Sequence, residues 1–229
     1  MKDSKEYSSK IEKLYRSIKR KYSKPEKPDY QNPIDAIVFA AAAEYLSTAK
    51  AKSAVGKFSD YFVDFNDMRV SRPEEIIELV GMDQPNARDI AENIIRVLSA
   101  IFRLYHIIDL EPLKKMGKRP AKQILEKLDG STDFIINYFM LTFLQAHTIP
   151  LTDRMVEYLK ENELVHPSAD KAQIRGFLAK RVSSKEAYTF YALLREESEA
   201  GKKQTRKTKA VKKASKKKTG KTTKSKKAK

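Results

Sequence analysis

Leu128-Asp129-Gly130-Ser131-Thr132-Asp133-Phe134-Ile135-Ile136 is followed, a few residues on, by Leu144-Gln145-Ala146-His147-Thr148-Ile149-Pro150-Leu151-Thr152-Asp153-Arg154-Met155. A short helix over about 119–128 leads into this stretch. A very apolar segment, 131–146, follows the glycine, and another helix is expected over 151–162. Phe134, Tyr138, Phe139, Met140, Phe143 and Leu144 lie too densely to form one stripe. They read as core rather than as a surface on which bases stack.

Upstream, Pro33 opens an apolar helix from Ile34 to about Thr48. It contains the longest uninterrupted apolar run, Ala36–Ala43. That is too apolar for a surface helix, so it is expected to be the most buried one. Segment 5–23 places Ile11, Leu14, Tyr15, Ile18 and Tyr22 on one face, and Pro25, Pro28 and Pro33 end it. Its Lys10, Lys13, Lys19, Arg20 and Lys21 read as a solvated face. Ser71-Arg72-Pro73-Glu74 reads as a capping box with Ser71 as the cap, and Gly81 as the stop. Helical spacing continues over about 86–107, 110–116, 169–182 and 184–199. No segment alternates with period two, so the expected class is all-α, with about ten helices.

Charge is unevenly placed. Residues 201–229 hold fifteen Lys/Arg and no acid, and residues 1–27 hold ten basic and four acidic residues. The intervening 28–200 hold 22 basic and 26 acidic residues, so the body is mildly acidic. The 201–229 block cannot bury enough apolar surface to offset its ordering entropy and is expected to be disordered. The absence of Cys excludes disulfides, thiol nucleophiles and thiolate-held zinc or iron–sulfur centres. No apolar run approaches the roughly 20 residues of a membrane span, so no membrane association is expected. No secretory signal is visible, and the expected location is cytoplasmic and nucleoid-associated.

The hairpin stretch resembles the helix-hairpin-helix and following segment of the endonuclease III family of DNA glycosylases, which reads L-P-G-V-G-x-K-T-A and then V-D-T-H. The spacing agrees without a gap, and Pro33-Ile34-Asp35 through Ala43 resembles the start of that family's buried helix. The resemblance implies a two-lobed helical domain over 28–200, with the basic helix of 1–27 as part of the fold and 201–229 as a tail. It implies DNA as partner and base-excision repair as context. It also places the family's nucleophilic Lys on Phe134 and its Asp on Thr152, neither of which can do that chemistry. Asp153 is the candidate substitute if a one-residue shift presents it, although such a shift turns a helical side chain by about 100°. Of the hairpin glycines only Gly130 remains, the second position being Thr132. Asp129 and Asp133 are expected to repel a phosphate there. The family's wedge Gln corresponds to Tyr45, and its cluster-binding Cys residues are missing, so no cofactor is expected.

The resemblance thus assigns no catalytic residue, Asp153 being the one substitute. The DNA-binding set is Gly130, Ser131, Thr132 and Tyr45, with Lys114, Lys115, Lys118, Arg119 and Lys122 as a phosphate clamp before the hairpin. His106, His147 and His166 lack metal-ligand spacing, so no metal site is expected. The tail, including Lys216, Lys217 and Lys218, resembles linker-histone tails. Such a tail binds polyanions through counterion release without reading bases; RNA is its alternative partner, and no protein partner is identifiable. Three functions follow: a DNA-binding protein without the Lys/Asp lyase chemistry, a monofunctional glycosylase using Asp153, and a nucleoid-tethered scaffold for another protein.

Overall fold

A computed structural model describes residues 4–200. Lys216, Lys217, Lys218 and the rest of the tail lie outside the described residues. Among the described residues there are eleven α-helices and no strand.

Helix α1 (Ser4–Lys21) buries Ile11 and Ile18, one heptad apart, and carries Lys19, Arg20 and Lys21 in its last turn, where the helix dipole favours cations. Helix α2 (Pro33–Tyr45) starts where the Asn32 side chain accepts the Ile34 amide and Pro33 occupies the first turn. It ends at Tyr45, short of Thr48, because Leu46 turns extended and Ser47 caps a new helix, α3 (Thr48–Tyr61). Sequence reasoning missed α3 and the short α4 (Phe65–Val70). The reason is physical: α3 buries only Ala51, Ala54 and Phe58, a narrow stripe of mostly small residues in a Lys-rich segment.

Helix α5 (Pro73–Val80) is capped by Arg72, not by Ser71. Pro73 has no N–H and fits the first helical position, which moves the cap one residue on. Glu75, not Glu74, then reaches back to accept the Arg72 amide at 3.1 Å, while the Ser71 hydroxyl donates to the Met68 carbonyl. Gly81, at φ 112°, ends the helix as expected. Helix α6 (Ala87–Tyr105) and a 3-10 turn (Glu111–Lys115) lead to α7 (Lys118–Lys127) and α8 (Asp133–Thr142). Helices α9 (Asp153–Glu161), α10 (Lys171–Ala179) and α11 (187–200) complete the body.

Two lobes form around α2 and α8. In one, α2 packs on α3 and α6, α4 and α5 pack on α6, and α7 packs on α8. In the other, α1 is tied to the α11 region by Lys19–Glu186 at 2.7 Å, Lys21–Glu197 at 2.6 Å and an edge-on contact between Tyr15 and Phe190. Arg154 of α9 donates to the Ser198 carbonyl. The expectation that α2 is the most buried helix needs correcting. Nine of its thirteen residues are buried, but so are nine of the ten in α8, because α8 is apolar on every side.

Arg195 of α11 fixes the corner where α2 ends. Its guanidinium is buried and donates to the carbonyls of Ala43 and Leu46, while Nε meets Glu199 at 2.9 Å. A cation on the last carbonyls of a helix satisfies both their hydrogen bonding and the helix dipole. Glu199 also accepts the Thr48 amide at 3.2 Å, so one ion pair holds the turn between α2 and α3. No helix among the described residues is long and apolar enough to cross a membrane.

Candidate functional site

The turn between α7 and α8 is built on Gly130, whose φ is 84°. A Cβ there would lie 2.8 Å from the Val97 nitrogen and 2.9 Å from the Asn93 carbonyl oxygen of α6. Only glycine allows both that backbone conformation and that approach. The aspartates flanking it are each held by an arginine. Asp129 pairs with Arg96 at 2.5 Å, which holds its carboxyl below the usual range, and Asp133 pairs with Arg175 of α10. The expected repulsion of a phosphate by these two residues is therefore corrected: each negative charge is opposed locally. The Ser131 hydroxyl is buried without a hydrogen-bond partner among the described residues.

Thr132 caps α8 by accepting the Ile135 amide at 3.2 Å, and its hydroxyl donates to Glu44 Oε2 at 2.6 Å. Glu44 sits one residue before the end of α2. Burial raises its pKa; the Thr132 hydrogen bond and the Lys171 charge oppose that rise, and the Asp153 and Asp133 charges add to it. Lys171, at the start of α10, pairs with Asp153 at 2.6 Å. The C-terminal end of α2 thus meets the N-terminal ends of α8, α9 and α10. Three carboxylates and two cations meet there, from elements far apart in sequence. Chemically, the set offers a half-buried carboxyl that keeps its proton to higher pH than an ordinary glutamate, next to an exposed ion pair.

The aligned catalytic positions take no part. Phe134 is fully buried, stacked with Tyr138 beneath Arg195. Thr152 is buried and caps α9, accepting the Met155 amide at 3.3 Å. Asp153, the next residue, is 85% exposed at its side chain and lies with the Glu44 group. Tyr45 is partly exposed and accepts weakly from the Asn93 amide group at 3.5 Å. Glu44, Lys171 and Arg175 were not singled out from the sequence. The one available signal was a lone acid closing the alanine run of α2; Lys171 and Arg175 look like ordinary surface cations until α10 is docked.

The basic segment before the hairpin is only partly free. Lys114 pairs with Glu111 and lies over the Phe143 ring, Lys122 pairs with Glu126, and Lys118 donates to the Gln145 carbonyl at 2.7 Å. Lys115 and Arg119 form no ion pair among the described residues. His147 donates from Nε2 to the Val182 carbonyl at 2.8 Å and His166 contacts Ser168, so both are satisfied locally. Among the described residues no three His, Cys, Asp or Glu side chains converge to hold a metal ion. A thiolate-held iron–sulfur cluster has no ligands in a chain without Cys.

No family model matches the chain, and no curated protein matches it in sequence. Solved structures do. A trapped endonuclease III–DNA covalent intermediate matches with a TM-score of 0.61 at 11% identity, over 85% of this chain and 85% of that one. The 8-oxoguanine glycosylase/lyase of Clostridium acetobutylicum, in complex with double-stranded DNA, matches at 0.64 and 13% identity, over 87% of this chain and 71% of that one. The 3-methyladenine DNA glycosylase of H. pylori, bound to 1,N6-ethenoadenine, matches at 0.62 and 13% identity, over 87% and 98%. The fold is therefore the all-α, two-lobed fold of the helix-hairpin-helix glycosylases, in a divergent sequence.

Proposed function

We propose that this chain is a DNA-binding protein built on the base-excision glycosylase fold and lacking the Lys/Asp lyase chemistry. The observation that carries the reading is the fold itself, shared with proteins solved on DNA, with the hairpin kept around Gly130. The hairpin and the cations Lys115 and Arg119 contact the backbone of the duplex, the partly exposed Tyr45 contacts its bases, and the Lys-rich tail supplies most of the affinity without sequence preference. The location that fits this role is the nucleoid. Binding of the full chain to intact and abasic duplexes, measured by anisotropy across a salt series, tests it. Steeply salt-dependent binding to both is expected; no binding at low salt ends the reading.

A second reading, hydrolysis of an N-glycosidic bond, is favoured by one observation: the half-buried Glu44 beside Asp153. A carboxyl that retains its proton could protonate a departing base while a carboxylate stabilises the sugar cation or activates water. Release of a free base from damaged duplex, abolished by Glu44→Gln or Asp153→Asn, would establish it. Base release unchanged in both variants would remove both residues from the chemistry.

A further inference from the structure

Helix α1 contributes no member to the Glu44 group, yet the segment 10–27 holds eight basic residues against two acidic ones. Its apolar face is committed: Ile11 and Ile18 are buried in the body. The helix therefore has no free apolar face to insert into a lipid surface, and what it presents outward is charge. Arg16, Lys19 and Lys21 are paired, with Glu12, Glu186 and Glu197. Lys13, Arg20, Lys24 and Lys185 form no ion pair among the described residues.

These cations line two adjoining hollows. One, of about 240 Å³, is lined by Lys19, Lys24 and Lys185, with Tyr22, Thr189, Leu193 and the carboxylate Glu186, which is taken up by Lys19. The other, shallower one is bounded by Lys13, Arg16, Ser17, Arg20 and Lys21. The basic surface also continues towards the hairpin. Burial and then the charge of Lys118 depress the Lys27 pKa, so the segment after α1 lies within electrostatic reach of the start of α7. One segment of the other lobe is the reverse: residues 60–92, from the end of α3 into α6, hold nine acidic and three basic residues. The folded body is thus electrically polar although its net charge is small.

We infer that the outward face of α1, with Lys24, Lys27 and Lys185, is a second phosphodiester-binding surface, along which duplex DNA held at the hairpin continues. This rests on the DNA-binding reading above. Unpaired Lys and Arg on a helix with a buried apolar face complement the charge of a nucleic-acid backbone, and such contacts fix its path without reading bases. The acidic segment 60–92 disfavours a path across its own surface.

The test uses the full chain and a short duplex, with affinity followed against salt. Neutralising Lys13, Arg16, Arg20 and Lys24 to Gln is expected to reduce the magnitude of the log–log slope by about 2 to 4, close to one unit for each phosphate that is no longer neutralised. A control removes four cations from the other lobe: Lys50→Gln, Lys52→Gln, Lys57→Gln and Arg72→Gln. It is expected to change the slope by less than about 1. The pair Lys13→Gln and Arg20→Gln touches no ion pair, leaves folding undisturbed, and is expected to give about half the full effect. Equal losses in the α1 variant and the control overturn the proposal, since net charge alone would then explain both. An unchanged slope in the α1 variants with strong wild-type binding overturns it while leaving the DNA-binding reading intact. Failure of the wild type to bind removes both.

Discussion

The Thr132 hydroxyl joins the two central helices: it accepts the Ile135 amide at 3.2 Å and donates its proton to Glu44 Oε2 at 2.6 Å. One residue thus starts α8 and anchors a half-buried carboxylate at the end of α2. The sign of the Glu44 shift leads directly to a measurable pH dependence.

Burial raises the Glu44 pKa above its ordinary 4.5. Between the ordinary and the raised value the native state binds more protons than the unfolded state, so this group's contribution to stability falls as pH rises through the window. Below 4.5 both states are protonated and the contribution is flat. Glu44→Gln removes the titration. Urea unfolding from pH 4 to pH 8 is expected to show the variant gaining on the wild type as pH rises through that window. A gain in the opposite direction would mean that Lys171 and Thr132 outweigh burial.

Gly130→Ala places a methyl group against the backbone of α6 at a φ that L-residues avoid. A loss of about 2 to 4 kcal/mol is expected, from strain and overpacking together. Gly56, within α3, has open space around its added Cβ. There the same change is expected to stabilise by about 0.5 to 1 kcal/mol through helix propensity. Chemical denaturation of the two variants side by side checks the pair, and similar effects would contradict the packing account.

Arg195→Met leaves Glu199 half-buried without its partner and two carbonyls at the end of α2 without donors. Removing one partner of a buried pair costs about 3 to 5 kcal/mol. Equilibrium unfolding is expected to register a loss of that order, and a loss below about 1 kcal/mol would show the network to be dispensable.

Phe134 and Glu44 mark how far the sequence could be read. The density of apolar residues after Gly130 told that Phe134 is core, because a helix apolar all round has nowhere to go but inside. The gapless spacing from Leu128 to Thr152 gave the order of the hairpin and the helix after it, and Thr152 does start α9. Helix α3 stayed hidden because its buried stripe is mostly alanine. The Glu44 group stayed hidden because its members come from four helices and meet only through tertiary packing. Local spacing cannot report a contact such as Thr132–Glu44, separated by 88 residues.

Restoring the family's lysine is not expected to restore lyase chemistry. Phe134 is fully buried beside Tyr138, Tyr191 and Arg195, with no route for a sugar to reach it. Phe134→Lys deletes a large core side chain and buries an ammonium against a guanidinium, so a loss of about 4 kcal/mol or more is expected.

The amine nearest the carboxylate group is Lys171, and it is engaged with Asp153 at 2.6 Å. Imine formation with an abasic aldehyde needs a nitrogen lone pair, and in an ion pair that lone pair carries the proton. Freeing the lone pair needs a base to take this proton, and the group in contact with the amine is Asp153, the partner that holds it in the ion pair. Borohydride trapping of the full chain on an abasic duplex is therefore expected to give only a background from the fifteen tail cations, most of them lysines. That background should be the same in wild type, Lys171→Gln and Asp153→Asn. A covalent band that disappears specifically in Lys171→Gln would show that binding DNA breaks the ion pair and frees the amine. The lyase chemistry would then have moved from the hairpin to α10 rather than been lost.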